Sequence, residues 1–324
     1  MTQSISAAIH IQGPTMRYAE VARTSSGAEL RRLGRERFEV DVMQVLWGEE
    51  NGVDVLEEMT ATVAEALHDT EASAVGLVVH PLDVYSFFVP LPDRLSGEER
   101  ERRVAHQAAL VTNTRSLDAL HTLRRSVRTA TEGDETVEWV RVLAVPQAVE
   151  ARMRALLAEV PVSEVAGRLL SSEAAARLLS PPGTEVGSET SADGSGDYRL
   201  AIGRYGAHTE YALSRDGAWH HAHAAKDAQS PEDQVYYAVG MLNRIGLSPE
   251  DIGHISVYGN ESKPVSDGPF ETAFGCAPVA FDPFAAVDAT TDRPDEERAP
   301  TYVPCIGGAL ALSGDWTKAE VRVQ

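Results

Sequence analysis

The order strand–strand–strand–helix–strand occurs twice in this chain. In the first half, "AAIHIQG" (7–13), "TMRYAEVAR" (15–23) and "AELRRLGRERFEV" (28–40) read as three strands joined by tight turns, the second turn marked by "TSSG". In the second half, "YRLAIGRYG", "HTEYALSRDG" and "AWHHAHAAK" (198–226) repeat the triple, and its Asp-Gly tolerates the positive φ that a hairpin turn needs. A helix follows each triple. Val55, Met59, Val63, Ala66 and Leu67 share one face of the first. The second opens with Ser230 as N-cap, Pro231 and acids in its first turn, and stops at Gly246. A buried strand comes next in both halves, "AVGLVVH" (74–80) and "HISVYG" (254–259). The two halves share this pattern but little sequence, so the duplication is one of architecture.

The break between them is "SPPGTEVGSETSADGSGD" (180–197), rich in Gly, Ser, Thr, Pro and acid with no apolar period. It predicts a first half over 1–180, a linker over 181–197 and a second half over 198–324. The first half also carries an extra block, about 82–140. There "SFFVPLP" is a strand ending in prolines. The stretch "SGEERERRVAHQAALVTN" is an amphipathic helix, with Ser96 as N-cap and Glu99 closing a capping box. Beyond it, "VEWVRVLAVP" reads as a strand and "QAVEARMRALLAEV" as a helix, and "SEVAGRLLSSEAAARLLS" turns helical in its second part.

Composition excludes several classes of function. At 324 residues there is room for two cored domains. The formal charge of −20 repels nucleic acid and anionic lipid, so neither is an expected partner. No apolar run reaches the roughly 20 residues of a membrane span. The N-terminus lacks the basic and apolar regions of a signal peptide, so the expectation is a cytoplasmic protein. Two cysteines, Cys276 and Cys305, make neither a disulfide framework nor a C-x-x-C zinc site. Lys226, Lys263 and Lys318 are the only lysines, arginine taking their place; a GC-rich genome or a salt-rich cytoplasm accounts for that equally well.

With its duplicated α/β pattern, inserted block and "FDPFAAVD…RAPTYVPCIGGALAL" tail (281–312), the sequence resembles the actin-like (ribonuclease H-like) ATPase superfamily. Within it, the sequence is similar to the cytoplasmic platform proteins of type IV pilus and type II secretion machines. The stretch 230–259 also looks like an uncharacterised bacterial family of the same fold. The resemblance implies two domains, with an inserted subdomain in the first and a C-terminal helix, about 304–313, packing back toward it. It implies a protein partner, a short peptide of a membrane protein held by the first half and its insert, and hence a peripheral place at the inner membrane.

The resemblance also locates a nucleotide cleft, and there the residues depart from the pattern. The first phosphate hairpin has His10 where the family has Asp, Gln12 at a usual glycine, then Gly13, Pro14 and Thr15, with Arg17 at a common Lys or Arg position. The second has Ala201 at the Asp position, keeps Gly203, and carries Arg204 and Tyr205 in place of small residues. The adenosine motif keeps Gly259 but continues with Asn260; the late helix keeps Gly307, Gly308 and Ala309. Mg²⁺ takes hard oxygen ligands, and phosphoryl transfer needs a metal bridging the phosphates. Imidazole and methyl supply no such ligand, so ATP hydrolysis is not expected and no cofactor is required. ATP bound without hydrolysis is the alternative, with Arg17 and Arg204 neutralising phosphate, but both arginines read more simply as surface residues.

Two other features need weighing. His208, His221 and His223 could bind a metal, although no carboxylate or Cys at fixed spacing completes the set. Trp219, His221 and His223 also fit one face of a half-buried strand, where the imidazoles would confer sensitivity to mild acid. Cys305 precedes a helix, but no motif supplies a base, and packing accounts for it. The expectation is therefore a non-catalytic scaffold or adaptor with a degenerate nucleotide cleft, part of a pilus or secretion platform. The alternatives are an ATP-binding platform protein whose nucleotide state regulates assembly, and a small-molecule or metal-binding regulator.

Overall fold

The structure is a computed structural model that describes residues 4–25, 27–48, 53–114, 116–132, 135–179, 198–261, 268–289, 291, 293–295, 298–313 and 321–322. The linker read over 181–197 lies outside the described residues. In chain order the elements of the first half are β1 (Ile5–Gln12), β2 (Thr15–Thr24), β3 (Gly27–Arg37), α1 (Val42–Trp47), α2 (Val53–Ala66) and β4 (Ala74–Val79). The insert follows as β5 (Tyr85–Pro92), α3 (Gly97–Thr112), β6 (Leu120–Glu132) and β7 (Glu135–Pro146). Next come α4 (Gln147–Ala155), β8 (Glu164–Leu170) and α5 (Ser171–Leu178). The second half contains β9 (Tyr198–Tyr205), β10 (His208–Arg215), β11 (Ala218–Ala225), α6 (Pro231–Arg244), β12 (Ile252–Tyr258), α7 (Gly268–Phe274), β13 (Val279–Ala280), β14 (Asp288–Ala289), α8 (Val303–Leu312) and β15 (Val321–Arg322).

Three sheets result, ordered β14-β3-β2-β1-β4-β8, β11-β10-β9-β12-β13 and β15-β6-β7-β5. In each large sheet an antiparallel triple is extended by strands parallel to its first member, β4 beside β1 and β12 beside β9. The duplicated α/β architecture is thus a feature of both sheets. Local chemistry sets several boundaries. Asp216 and Gly217 both have positive φ, 48° and 78°, as a two-residue hairpin turn of the Asp-Gly type requires. Ser96–Glu99 and Ser230–Asp233 close capping boxes on α3 and α6. Strand β6 has no counterpart in the sequence reading, because Arg124, Arg125 and Arg128 interrupt its apolar alternation. Arg125 is nonetheless buried. Strand β7 runs to Pro146, beyond the insert boundary near 140.

The period of two along the strands divides the core. Ile9, Ile11, Val75, Leu77 and Val79 face one apolar cluster with α1, α2 and α4. Leu200, Ile202, Tyr211 and Leu213 face another with α6 and α7. The intervening residues, Ala8 and Val78 of one sheet and Ala201, Ala212 and Tyr258 of the other, meet in a central cluster containing α5 and α8. Both helices cross over. Helix α5 follows the first sheet but packs on β9, β10 and β11, while α8 follows the second and packs on β1, β2 and β4. Strand β14 likewise returns to pair with β3.

Helices α5 and α8 touch through backbone. A Cβ on Gly307 would lie 2.1 Å from the Ala174 carbonyl oxygen, and one on Gly308 would lie 2.6 Å from Val78 Cγ2. Gly307→Ala is therefore expected to destabilise the protein by about 1–3 kcal/mol through overpacking. Gly240, inside α6 with nothing within 4 Å of the same position, supplies the contrast. Gly240→Ala is expected to stabilise by ~0.5–1 kcal/mol through helix propensity. Urea denaturation of the two variants reads both signs; a neutral Gly307→Ala would mean that the helices can separate without cost.

Candidate functional site: a buried carboxylate between the two halves

The inner faces of the two large sheets carry more than alanine. His10 follows Ala8 by two on β1, and His80 follows Val78 by two at the end of β4, so both point toward the central cluster. On the opposing sheet, His208 and Glu210 precede Ala212 by four and two on β10. All four are buried, Glu210 completely.

They form one hydrogen-bonded group. His80 Nδ1 donates to Glu210 Oε1 at 2.5 Å, and His208 Nε2 donates to the same oxygen at 2.9 Å. The other oxygen, Oε2, accepts from Ser171 Oγ at 2.5 Å and from the Tyr258 hydroxyl at 3.1 Å. His10 Nε2 lies 3.2 Å from His80 Nε2. Tyr205 stacks on His208 at 4.9 Å and meets His80 edge-on at 4.4 Å. The partners come from β1, the residue after β4, α5, β9, β10 and β12, so the group spans both halves.

Charge is balanced locally. Burial alone would raise the Glu210 carboxyl, but His80 and His208 beside it draw it far below the usual carboxylate range. Burial would lower His80; the Glu210 charge and hydrogen bond prevail and raise it. His10 is held neutral, lowered by burial, then by His80 and Arg17. Nearby, α5 presents a second buried carboxylate. Glu173 pairs with Arg125 at 2.6 Å and Arg141 at 3.3 Å, which ties the inserted sheet to the same helix.

Of the residues singled out in the sequence, His10 and His208 belong to this group, and most of the others have a role in packing. The β1–β2 turn at Gly13–Pro14 is anchored from outside: the Gly13 and Pro14 carbonyls accept from Val42 and Phe38 N–H. Gln12 and Thr15, half-buried, flank it, and Gln12 Oε1 accepts from Arg17 Nη1 at 3.4 Å. Arg17 and Arg204 are not surface arginines; both are buried, and Arg204 Nε donates to Gln234 Oε1 at 2.8 Å. The interior is where each guanidinium finds its partner. Ala201 lies in the central cluster. Gly203 admits the Tyr258 ring, whose Cζ would be 2.6 Å from a Cβ there. Gly259 adopts φ +97° and would set a Cβ 2.4 Å from the Arg204 carbonyl oxygen. Asn260 is exposed. Cys305 is buried, its Sγ donating to the Tyr302 carbonyl, and burial pushes its thiol up to about 12, which suits packing and not nucleophilic attack.

The histidine trio is not brought together. Thr209 pairs with Ala225 and Leu213 with His221, which places His221 well along the sheet from His208. His221 instead stacks on Phe88 of the insert at 4.7 Å, and His223 on Tyr211 at 6.1 Å. His208 groups with His80 and Glu210, whose ligating atoms lie within 4.8 Å of one another. Sequence reasoning missed His80 and Glu210. The available signal was strand parity: each sits two residues from a member of the inward set.

No protein-family model matches the chain, and no curated protein matches it in sequence. Among solved structures it is similar to the PilM–PilN type IV pilus biogenesis complex, with TM-score 0.69 and 16% identity, over 95% of this chain and 98% of that one. It is also similar to a protein of actin-like ATPase fold and unknown function from Bacteroides thetaiotaomicron (TM-score 0.47, 9% identity, 86% and 91% of the two chains). A third is the cytoplasmic domain of EpsL, an inner membrane component of the type II secretion system of Vibrio cholerae (TM-score 0.45, 10% identity, 97% and 96%). The chain has the actin-like fold. Among the described residues no helix is long and apolar enough to cross a membrane.

The site generates two expectations. Glu210→Ala leaves His80, His208, Ser171 and Tyr258 without their buried acceptor and should cost about 3–5 kcal/mol, read by denaturant unfolding. Burial and Arg128 lower His220 to about 3 and His221 to about 4, against an ordinary 6.5. The unfolded chain then binds more protons below about pH 6.5, so this contribution to stability falls as pH drops from 6.5 toward 4. His221→Gln should flatten that part of the profile, and an unchanged slope would show that His221 is not held neutral.

Proposed function

We propose that this actin-fold protein is a non-catalytic adaptor of an envelope assembly platform, its two halves joined by side chains where the resemblance to actin-like ATPases locates a nucleotide cleft. The observation that carries the reading is the Glu210 group. Its carboxylate is fully buried and saturated by partners from both sheets, in the space between the two hairpins.

Mg²⁺–nucleotide does not fit these residues. The hairpin positions that would offer carboxylates are His10 and Ala201, and the retained glycines are occupied by protein. Tyr258 lies against Gly203, the Arg204 backbone against Gly259, and Ala174 against Gly307. A phosphate group would have to displace hydrogen bonds to Glu210 and share the space with its charge. No phosphoryl-transfer step follows from such a site.

The support for a protein partner is the likeness to a structure that is itself a complex of two pilus biogenesis proteins. The partner in this reading is a membrane protein that presents a short cytoplasmic peptide to the first half and its insert, keeping the adaptor at the inner membrane. Calorimetry with ATP and Mg²⁺ tests the nucleotide side: no heat of binding at micromolar concentrations and no phosphate release are expected. Saturable micromolar binding would overturn the adaptor reading in favour of a nucleotide-controlled platform. Fluorescence anisotropy tests the partner side, with the cytoplasmic peptide of a PilN-type membrane protein from the same genome. Saturable binding by wild type is expected, and its absence counts against the platform assignment.

A further inference from the structure

The geometry around Glu210 points to a binding site for one zinc-class transition-metal ion, with His80 Nδ1, His208 Nε2 and Glu210 Oε1 as ligands and His10 orienting His80 from behind. The arrangement converges on a point. Two ring nitrogens from different halves of the fold approach a single carboxylate oxygen, at 2.5 and 2.9 Å, and the three ligand atoms lie within 4.8 Å of one another. Two imidazoles and a carboxylate form a donor set that zinc takes at about 2.0–2.2 Å. Moving each side chain outward by roughly an ångström from hydrogen-bonding to coordinating separation makes room for the ion. Magnesium, which prefers an all-oxygen shell, is disfavoured by the same set.

The surrounding contacts are those a metal ligand set needs. Oε2, the oxygen turned away from the imidazoles, is held by the Ser171 and Tyr258 hydroxyls, so the carboxylate cannot rotate. With His80 ligating through Nδ1, its Nε2–H donates to His10 Nε2, 3.2 Å away, which fixes tautomer and ring. Tyr205 packs on both ligating rings. A second observation concerns the same place: His10 Nδ1 and the Tyr205 hydroxyl, like some polar atoms elsewhere, are buried with no hydrogen-bond partner among the described residues. The interior here is more polar than its own protein contacts satisfy. Ser171 Oγ lies 3.3 Å from His80 Nδ1, and it or a water would supply the fourth ligand of a tetrahedral set.

Such an ion would cross-link residues 130 positions apart, His80 from one half and Glu210 from the other. It would act as a structural clamp between the two halves. On binding, each imidazole presents a lone pair to the metal, and any proton on that nitrogen moves to the other ring nitrogen or to solvent.

The test uses the full chain, prepared without a histidine tag, stripped with chelator and titrated with Zn²⁺ by calorimetry, with Co²⁺ as the spectroscopic probe. The expected result is one ion per chain at submicromolar affinity, a raised melting temperature, and the intense visible bands of four-coordinate Co²⁺. His80→Asn and His208→Asn should abolish binding. His10→Phe should weaken it by about 10–100-fold as an outer-shell change. A His221→Asn/His223→Asn double variant, remote from the site, should bind as wild type does. Wild-type protein that takes up no zinc at micromolar concentration overturns the proposal, whether or not the variants fold. So does binding that survives both ligand substitutions or is lost in the double variant.

Discussion

Glu210 is a fully buried carboxylate, and the centre of this protein is arranged around keeping it satisfied. Removing a carboxylate from water costs far more than any single hydrogen bond returns. The two oxygens therefore need several donors, and one sheet cannot supply them. His208 and Tyr258 come from the second half, His80 from the end of a strand in the first, and Ser171 from the start of the helix that passes between them. The relative position of the halves is thereby a condition of burying that charge.

The apolar packing enforces the same geometry. Helices α5 and α8 each leave the sheet they follow and pack on the other, and they meet through Gly307 and the Ala174 backbone. Small residues at that crossing bring the two sheets close enough for His80, just past β4, to touch Glu210 of β10. The inserted sheet is fastened to the same helix by Arg125, Arg141 and Glu173. One eight-residue helix, α5, thus links both halves and the insert.

The hairpin positions that the resemblance assigns to acidic residues hold His10 and Ala201, and the carboxylate at the centre is Glu210 of β10. A nucleotide cleft must open, admit a charged ligand and close. The space between the β1–β2 and β9–β10 hairpins is core, filled by tyrosine, histidine and a paired carboxylate, and Gly203, Gly259 and Gly307 accommodate neighbouring protein atoms.

The sequence by itself determined the elements and their order: two strand triples, each followed by a helix and a buried strand, with Asp216–Gly217 at a turn and Ser96 and Ser230 at helix starts. These depend on contacts between near neighbours, which is why they were legible. It also showed that positions 10 and 201 carry no carboxylate. It did not show β6, whose arginines break the apolar alternation and find their partners on other elements, Arg124 with Glu101 of α3, Arg125 with Glu173 of α5 and Arg128 over the Trp139 ring of β7. Nor did it show the pairing of His80 with Glu210. Nearby histidines in "WHHAH" suggested a cluster, yet strand register carries His221 away from His208 and brings in a residue from the opposite sheet. Only the tertiary structure decides which inward-facing side chains from two separate sheets meet, because that depends on how closely α5 and α8 let the sheets approach.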